Sequence, residues 1–189
     1  MGTNVEIEIK SPLCKEEYDK LISSFSDKKI YTQVNYYFDT KSLDIISKKC
    51  GLRMREKKGT FELTLKVPQG EGKLEINQQI SNKVASLLLD KSIFPNCSIE
   101  THLHDVLGIN VKEISCLGTL VTKRIDIPYK NALISIDESS YNNITDYEIE
   151  IEDESLTLAN KHLKEFLSQF DIQIKKSPGS KLKRFIDSL

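Results

Sequence analysis

Tryptophan is absent from this 189-residue chain, and glycine (8), proline (5), cysteine (4), histidine (3) and methionine (2) are sparse. So little glycine and proline excludes a collagen-like or low-complexity chain. The cysteines, Cys14, Cys50, Cys97 and Cys116, form no Cys-x-x-Cys pair. They read as reduced, small apolar residues, with a zinc site of scattered cysteines as the weaker alternative. No apolar run approaches the ~18 residues that a membrane-spanning helix needs. The opening MGTNVEIEIK carries no basic stretch followed by an apolar one, and Glu6 stands where a myristoylation signal needs Ser or Thr. A cytoplasmic location is the expectation. A surplus of either charge is also missing, because 27 Lys and Arg face 28 Asp and Glu for a net of −1. That excludes a broad basic nucleic-acid surface and an acidic solvating segment alike.

Hydrophobic residues at 39% supply a core, and the length suits a single domain over 1–189. The strongest pattern is alternation. In the first strand Glu6, Glu8 and Lys10 share one face, and Val5, Ile7 and Ile9 the other. Similar alternation marks 52–55, 61–66, 73–80, 122–127, 133–137 and 147–152. With 33–39, about eight strands are expected. Ser11-Pro12 reads as an N-cap and first helical residue, followed by Leu13, Tyr18, Leu21, Ile22 and Phe25 at helical spacing. Further helices are expected at 81–90, 98–107 and 157–170, and after Ser177-Pro178.

Helices can cover the apolar strand faces. The opposite faces repeat Glu, Lys and Arg, which are poor strand formers or costly to bury. One account is an antiparallel sheet with a solvated face. The other is a barrel whose lumen is charged and holds one small ligand. Such a lumen would gather Lys10, Arg53, Arg55, Lys66, Lys73 and Arg124 with Glu6, Glu8, Glu75, Asp137, Glu148, Glu150 and Glu152. A polyanion carried with a divalent metal satisfies both sets: the cations hold phosphate oxygens and the carboxylates hold Mg²⁺ or Mn²⁺. Residues i and i+2 on a strand lie ~6.6 Å apart on one face, which suits Glu6 with Glu8 and Glu148 with Glu150 as metal pairs. His102 and His104 are i, i+2 on an expected helix, so they do not share a face. With His162 they read as surface or packing residues.

The ordered set Glu6-x-Glu8-x-Lys10, Tyr36-Tyr37-Phe38-Asp39, Leu52-Arg53-Met54-Arg55, Thr64-Leu65-Lys66, Glu75, Thr122-Lys123-Arg124, Asp137, Glu148-Ile149-Glu150 and Ser180-Lys181-Leu182-Lys183-Arg184 resembles the motifs of the CYTH superfamily, the triphosphate tunnel metalloenzymes. The resemblance runs along nearly the whole chain. It implies an α+β fold, an eight-stranded antiparallel β-barrel with helices packed around the outside. It implies Glu6, Glu8, Asp137, Glu148, Glu150 and Glu75 as metal ligands. Lys10, Arg53, Arg55, Lys66, Arg124 and Lys181 would bind substrate, with Glu148, Glu150 and Lys66 as catalytic residues. Lys123, by its alternation, points away from Arg124 and outside. The cofactor would be Mg²⁺ or Mn²⁺. The partner would be a small polyanion: tripolyphosphate, thiamine triphosphate or a nucleoside triphosphate. With no Trp to mark a ring pocket, inorganic triphosphate is favoured for metal-dependent hydrolysis. Adenylate cyclisation, thiamine triphosphate hydrolysis and a non-catalytic polyphosphate-binding module remain alternatives. The oligomeric state stays open between monomer and homodimer.

Overall fold

Alternation becomes a nine-stranded sheet in the structure, a computed structural model that describes residues 2–189. The strands among the described residues are β1 (Gly2–Glu6), β2 (Glu8–Leu13), β3 (Tyr31–Thr40), β4 (Gly51–Lys57), β5 (Thr60–Gln69), β6 (Gly72–Ile80), β7 (Ile114–Tyr129), β8 (Ala132–Tyr141) and β9 (Ile144–Glu152). Their hydrogen-bonded order is β1-β6-β5-β4-β3-β7-β8-β9-β2. Within the two groups β3 to β6 and β7-β8-β9-β2, neighbours pair antiparallel. The count exceeds the expected eight because the first strand is divided at Ile7. Its first half lies beside β6 and its second beside β9, at the two ends of the order.

The α-helices among the described residues are α1 (Lys15–Ser24), α2 (Asp44–Ser47), α3 (Asn82–Lys91), α4 (Ser98–Thr101), α5 (Leu156–Ser168) and α6 (Lys181–Asp187). A π-helical turn, His102–Val106, continues α4. The helix expected from Ser11-Pro12 begins later. Those two residues belong to β2, whose register with β9 runs on to Leu13 opposite Tyr147. A proline is tolerated there because β2 ends the strand order and offers an unpaired side. Cys14 is the N-cap instead, and its backbone N–H donates to the Glu17 carboxylate at 2.8 Å. Ser11 is buried, and its hydroxyl accepts the Lys175 N–H at 2.8 Å.

The chain divides into two compact units, one holding the described residues up to Val5 with Gln33–Leu120, the other Glu6–Thr32 with Val121–Leu189. In the first, Phe38, Leu52, Met54, Leu63, Leu65 and Ile76 form the apolar strand face, and Ile45, Ala85, Leu88, Ile99 and Leu103 from the helices pack on it. In the second, Ile125, Ile127, Ile134, Ile136, Ile149 and Ile151 meet Tyr18 and Leu21 of α1 and Ala159, Leu163, Phe166 and Leu167 of α5. Each such side chain contributes about 1.5–3 kcal/mol when fully buried, so these faces fix the register of every strand. Most of the charged strand residues are thereby turned to the opposite face, Lys123 and Glu138 being exceptions. Type I′-compatible backbones at Lys58-Gly59 and Asn142-Asn143, all at positive φ, close the β4–β5 and β8–β9 hairpins.

Candidate active site

In the second unit, register lays the polar face out in rows. Arg124, Asp137 and Glu148 stand opposite one another across β7, β8 and β9. The next row is Asp126, Ser135, Glu150 and Lys10. Arg124 grips Asp137 through two bonds, Nε to Oδ1 at 2.6 Å and a terminal nitrogen to Oδ2 at 2.5 Å, and reaches Glu150 at 2.6 Å. Lys10 bridges Glu150 at 2.8 Å and Glu8 at 2.9 Å. Helix α6 adds Lys181, in contact with Asp137, Glu148 and Glu150, and Arg184, which pairs with Asp146 at 2.8 Å and Glu148 at 3.0 Å. Ser180 caps α6, its hydroxyl accepting the Lys183 N–H at 3.2 Å, and so places Lys181 at the first helical position.

Burial makes these contacts strong. Asp137 is fully buried, and the side chains of Glu148 and Glu150 are only 3% and 12% exposed. Burial opposes ionisation of Glu150, but Lys10, Lys181 and Arg124 outweigh it and hold its carboxyl well below the usual range. Glu148 goes the other way: burial lifts it, with Glu150 adding like-charge repulsion against the pull of Lys181. Burial also opposes the charge on Lys10 and Lys181, yet the surrounding carboxylates raise both above an ordinary lysine. One oxygen each from Asp137, Glu148 and Glu150 lies within 4.8 Å of the others. Three hard oxygen donors so gathered fit a divalent cation such as Mg²⁺ or Mn²⁺.

The first unit repeats the row arrangement. One row reads Tyr37, Arg53, Thr64 and Asn77; the next reads Asn35, Arg55, Glu62 and Gln79. A third places Lys66 opposite Glu75, joined at 2.7 Å. Arg55 donates to Asn35 at 2.9 Å. Arg53 differs, because its Nε is buried with no hydrogen-bond partner among the described residues.

The structure thus brings Lys10, Arg124, Lys181, Glu8, Asp137, Glu148 and Glu150 together in the second unit. Arg53, Arg55, Lys66 and Glu75 share the polar face of the first. Glu75 serves there as the partner of Lys66. Glu6 ends β1 and Glu8 begins β2, with Ile7 between them. Lys123 is exposed and pairs with Glu138, as its alternation indicates. The histidines lie apart from the acidic trio: His104 pairs with Asp105, and His162 with Asp153. All four cysteines are free thiols. Among the described residues no helix is long and apolar enough to cross a membrane.

Several polar residues were not singled out from the sequence. Asp146 lies two residues before Glu148 on the same strand face, so extending the alternation would have found it. Arg184 falls in the last motif, one turn beyond Lys181. Tyr31 donates to Asp126 at 2.6 Å, and Ser135 to the same carboxylate at 2.8 Å. Register places Ser135 opposite Asp126, and Tyr31 reaches that carboxylate from β3.

A family model described as "CYTH domain" matches residues 4–186. The chain is 35% identical over 189 residues to "Putative triphosphatase YjbK" of Bacillus subtilis, covering 99% of this chain and 97% of that protein. Among solved structures, a "putative adenylate cyclase" from Bacillus halodurans is 36% identical with a TM-score of 0.91, covering 98% of this chain and 99% of that one. The HpAC1 protein of Hippeastrum, described as a "putative adenylyl cyclase" with "a dominant triphophatase activity", is 26% identical with a TM-score of 0.83, covering 96% and 95%.

Proposed function

The chain belongs to the CYTH domain family, and on that premise we propose that it hydrolyses inorganic triphosphate with Mg²⁺ or Mn²⁺. The observation that carries this reading is the trio Asp137, Glu148 and Glu150, the first two buried and the third partly so, set directly among Lys10, Arg124 and Lys181. The trio would hold the divalent ion, with Glu8 beside it through Lys10 and Glu6 as a further ligand. Bound there, the ion supplies neutralisation of phosphate charge and polarisation of a phosphoryl oxygen.

The chain's own residues do the rest. Lys10, Arg124 and Lys181 exchange their carboxylate partners for phosphate oxygens. Arg53, Arg55 and Lys66 would be further phosphate-binding residues, Arg53 foremost because its Nε has no hydrogen-bond partner among the described residues. Lys66 offsets charge that grows on the leaving phosphate, a role for a positioned cation in phosphoryl transfer. Glu148 and Glu150 orient the attacking water. The products are phosphate and diphosphate.

A substrate panel tests the reading. Phosphate release from tripolyphosphate, thiamine triphosphate and ATP is measured with Mg²⁺ and with Mn²⁺. Tripolyphosphate is expected to give the highest kcat/KM. Cyclic AMP from ATP would replace hydrolysis by cyclisation, and binding without any release would leave a polyphosphate-binding module. Glu148→Gln is expected to lower kcat by about 100-fold or more, the scale seen when one preorganised charge contact is removed.

A further inference from the structure

Of the cations in the second unit, Lys181 alone contacts all three carboxylates of the acidic trio. Its Nζ lies 2.7 Å from Asp137 Oδ2 and 3.1 Å from Glu150 Oε1, and it also bonds Glu148 Oε1. These are the residues whose oxygens lie within 4.8 Å of one another. A Mg²⁺ ion draws its oxygens to about 2.0–2.1 Å and keeps several waters. A trio this small cannot hold that hydrated ion and an ammonium at hydrogen-bond distance together, and the two positive charges repel.

We propose that Lys181 is the resident counter-ion of the trio: its ammonium and the divalent metal exclude each other, and Lys181 must swing out for metal to enter. The inference rests on the trio being the metal site of the hydrolase. The other cations are differently placed. Lys10 joins Glu150 to Glu8, and Arg124 is held by its two bonds to Asp137. The backbone of α6 need not move. Phe185 is fully buried against Tyr141, and Arg184 is tied to Asp146, Glu148 and the Gly179 carbonyl. The motion therefore belongs to the flexible four-carbon stem of the lysine, which carries a point charge rather than a rigid fork. Released, the ammonium is free for a phosphate oxygen. Metal and polyphosphate entry are coupled through one side chain.

Mn²⁺ binding without phosphate, read from the free-ion EPR signal, distinguishes the outcomes. Lys181→Met is expected to bind Mn²⁺ at least about tenfold more tightly than the wild type, since removing a competing state raises apparent affinity by the fraction it occupied. Unchanged or weaker binding overturns the inference. A second measurement uses the unaltered protein. Lys181 acetylation by an amine-reactive ester, followed by mass spectrometry, is expected to accelerate several-fold at an Mn²⁺ concentration shown to be saturating. An unchanged rate also overturns it. Asp137→Asn and Glu148→Gln separate this from failure of the underlying reading. If both bind Mn²⁺ like the wild type, the trio is not the metal site. If both lose Mn²⁺ while Lys181→Met gains nothing, only the counter-ion role falls.

Discussion

Two cations on neighbouring rows of the first unit, Lys66 and Arg53, are set up for opposite tests. Lys66 has a built-in partner in Glu75. Burial pushes the Glu75 carboxyl up, but Lys66 and Arg53 outweigh it and bring it down to about 2 from an ordinary 4.5. A carboxyl lowered in the folded state stabilises it when ionised, so this contribution is complete above about pH 4.5 and is lost as pH falls toward about 2. Urea unfolding between pH 6 and pH 2.5 is expected to show that loss in the wild type and a flatter profile in Glu75→Gln. At neutral pH the same variant is expected to lose about 1–3 kcal/mol, because the partly buried ion pair between Glu75 and Lys66 is removed. Arg53 gives up no intraprotein bond through its Nε. Arg53→Met is therefore expected to cost less stability than Glu75→Gln, since through Nε it breaks no bond and it loses only the attraction of its charge for Glu75. It is expected to raise KM for tripolyphosphate about tenfold or more, the loss of one charge-assisted contact. A larger fall in stability than in substrate binding would assign Arg53 a structural role.

At the scale of elements, the short helix α2 depends on a carboxylate from the preceding strand. Asp39, almost fully buried at the end of β3, accepts N–H groups of Thr40 at 2.7 Å, Ile45 at 2.9 Å and Ile46 at 3.0 Å. Those bonds offset the left-handed backbone of Leu43, a non-glycine residue at φ 59. Asp39→Asn is expected to cost about 2–3 kcal/mol, the range for a charged group bonded to backbone N–H, in urea unfolding. Its kcat is expected to hold at temperatures where it stays folded; a selective loss of kcat would move Asp39 into the site. The last motif-bearing strand residue of 36–39 is thus scaffold. Strands and their inner faces were legible in the sequence because a strand buried on one side must alternate. Ile7 was not legible as a break, since Val5, Ile7 and Ile9 keep the same period across it. Ser11-Pro12 carried a sound helix-start signal, and the β2–β9 pairing overrode it. The residues of the acidic trio could be named from the sequence, but their proximity could not. Asp137 and Glu148 meet because they share a row, and Lys181 arrives from a helix that no strand period describes.

Across the whole chain, 27 basic residues against 28 acidic ones look merely balanced. In the second unit that balance is local. Glu8, Asp137, Asp146, Glu148 and Glu150 are matched by Lys10, Arg124, Lys181 and Arg184 in direct ion pairs. Replacing such a set by apolar residues is often neutral or stabilising, so stability alone is a weak reason for it. A ligand with both signs of charge can instead exchange with it, phosphate taking the cations as metal takes the carboxylates. The exchange should appear as a gain in stability of the whole fold. Imidotriphosphate, whose bridging nitrogens resist hydrolysis, is suited to the measurement. At 100 times its Kd with Mg²⁺ present it should add about 2.7 kcal/mol by mass action, or about 5–11 °C in melting temperature for a chain of this size. Sodium chloride raised to 0.5 M should move the melting temperature of the ligand-free protein by much less, because buried pairs are screened far less than surface ones. The analogue without Mg²⁺ should give a smaller shift than the two together, since the carboxylates then keep only their protein partners. No shift under any of these conditions would mean that the paired charges serve the fold alone, and the proposed hydrolase would lose its binding site.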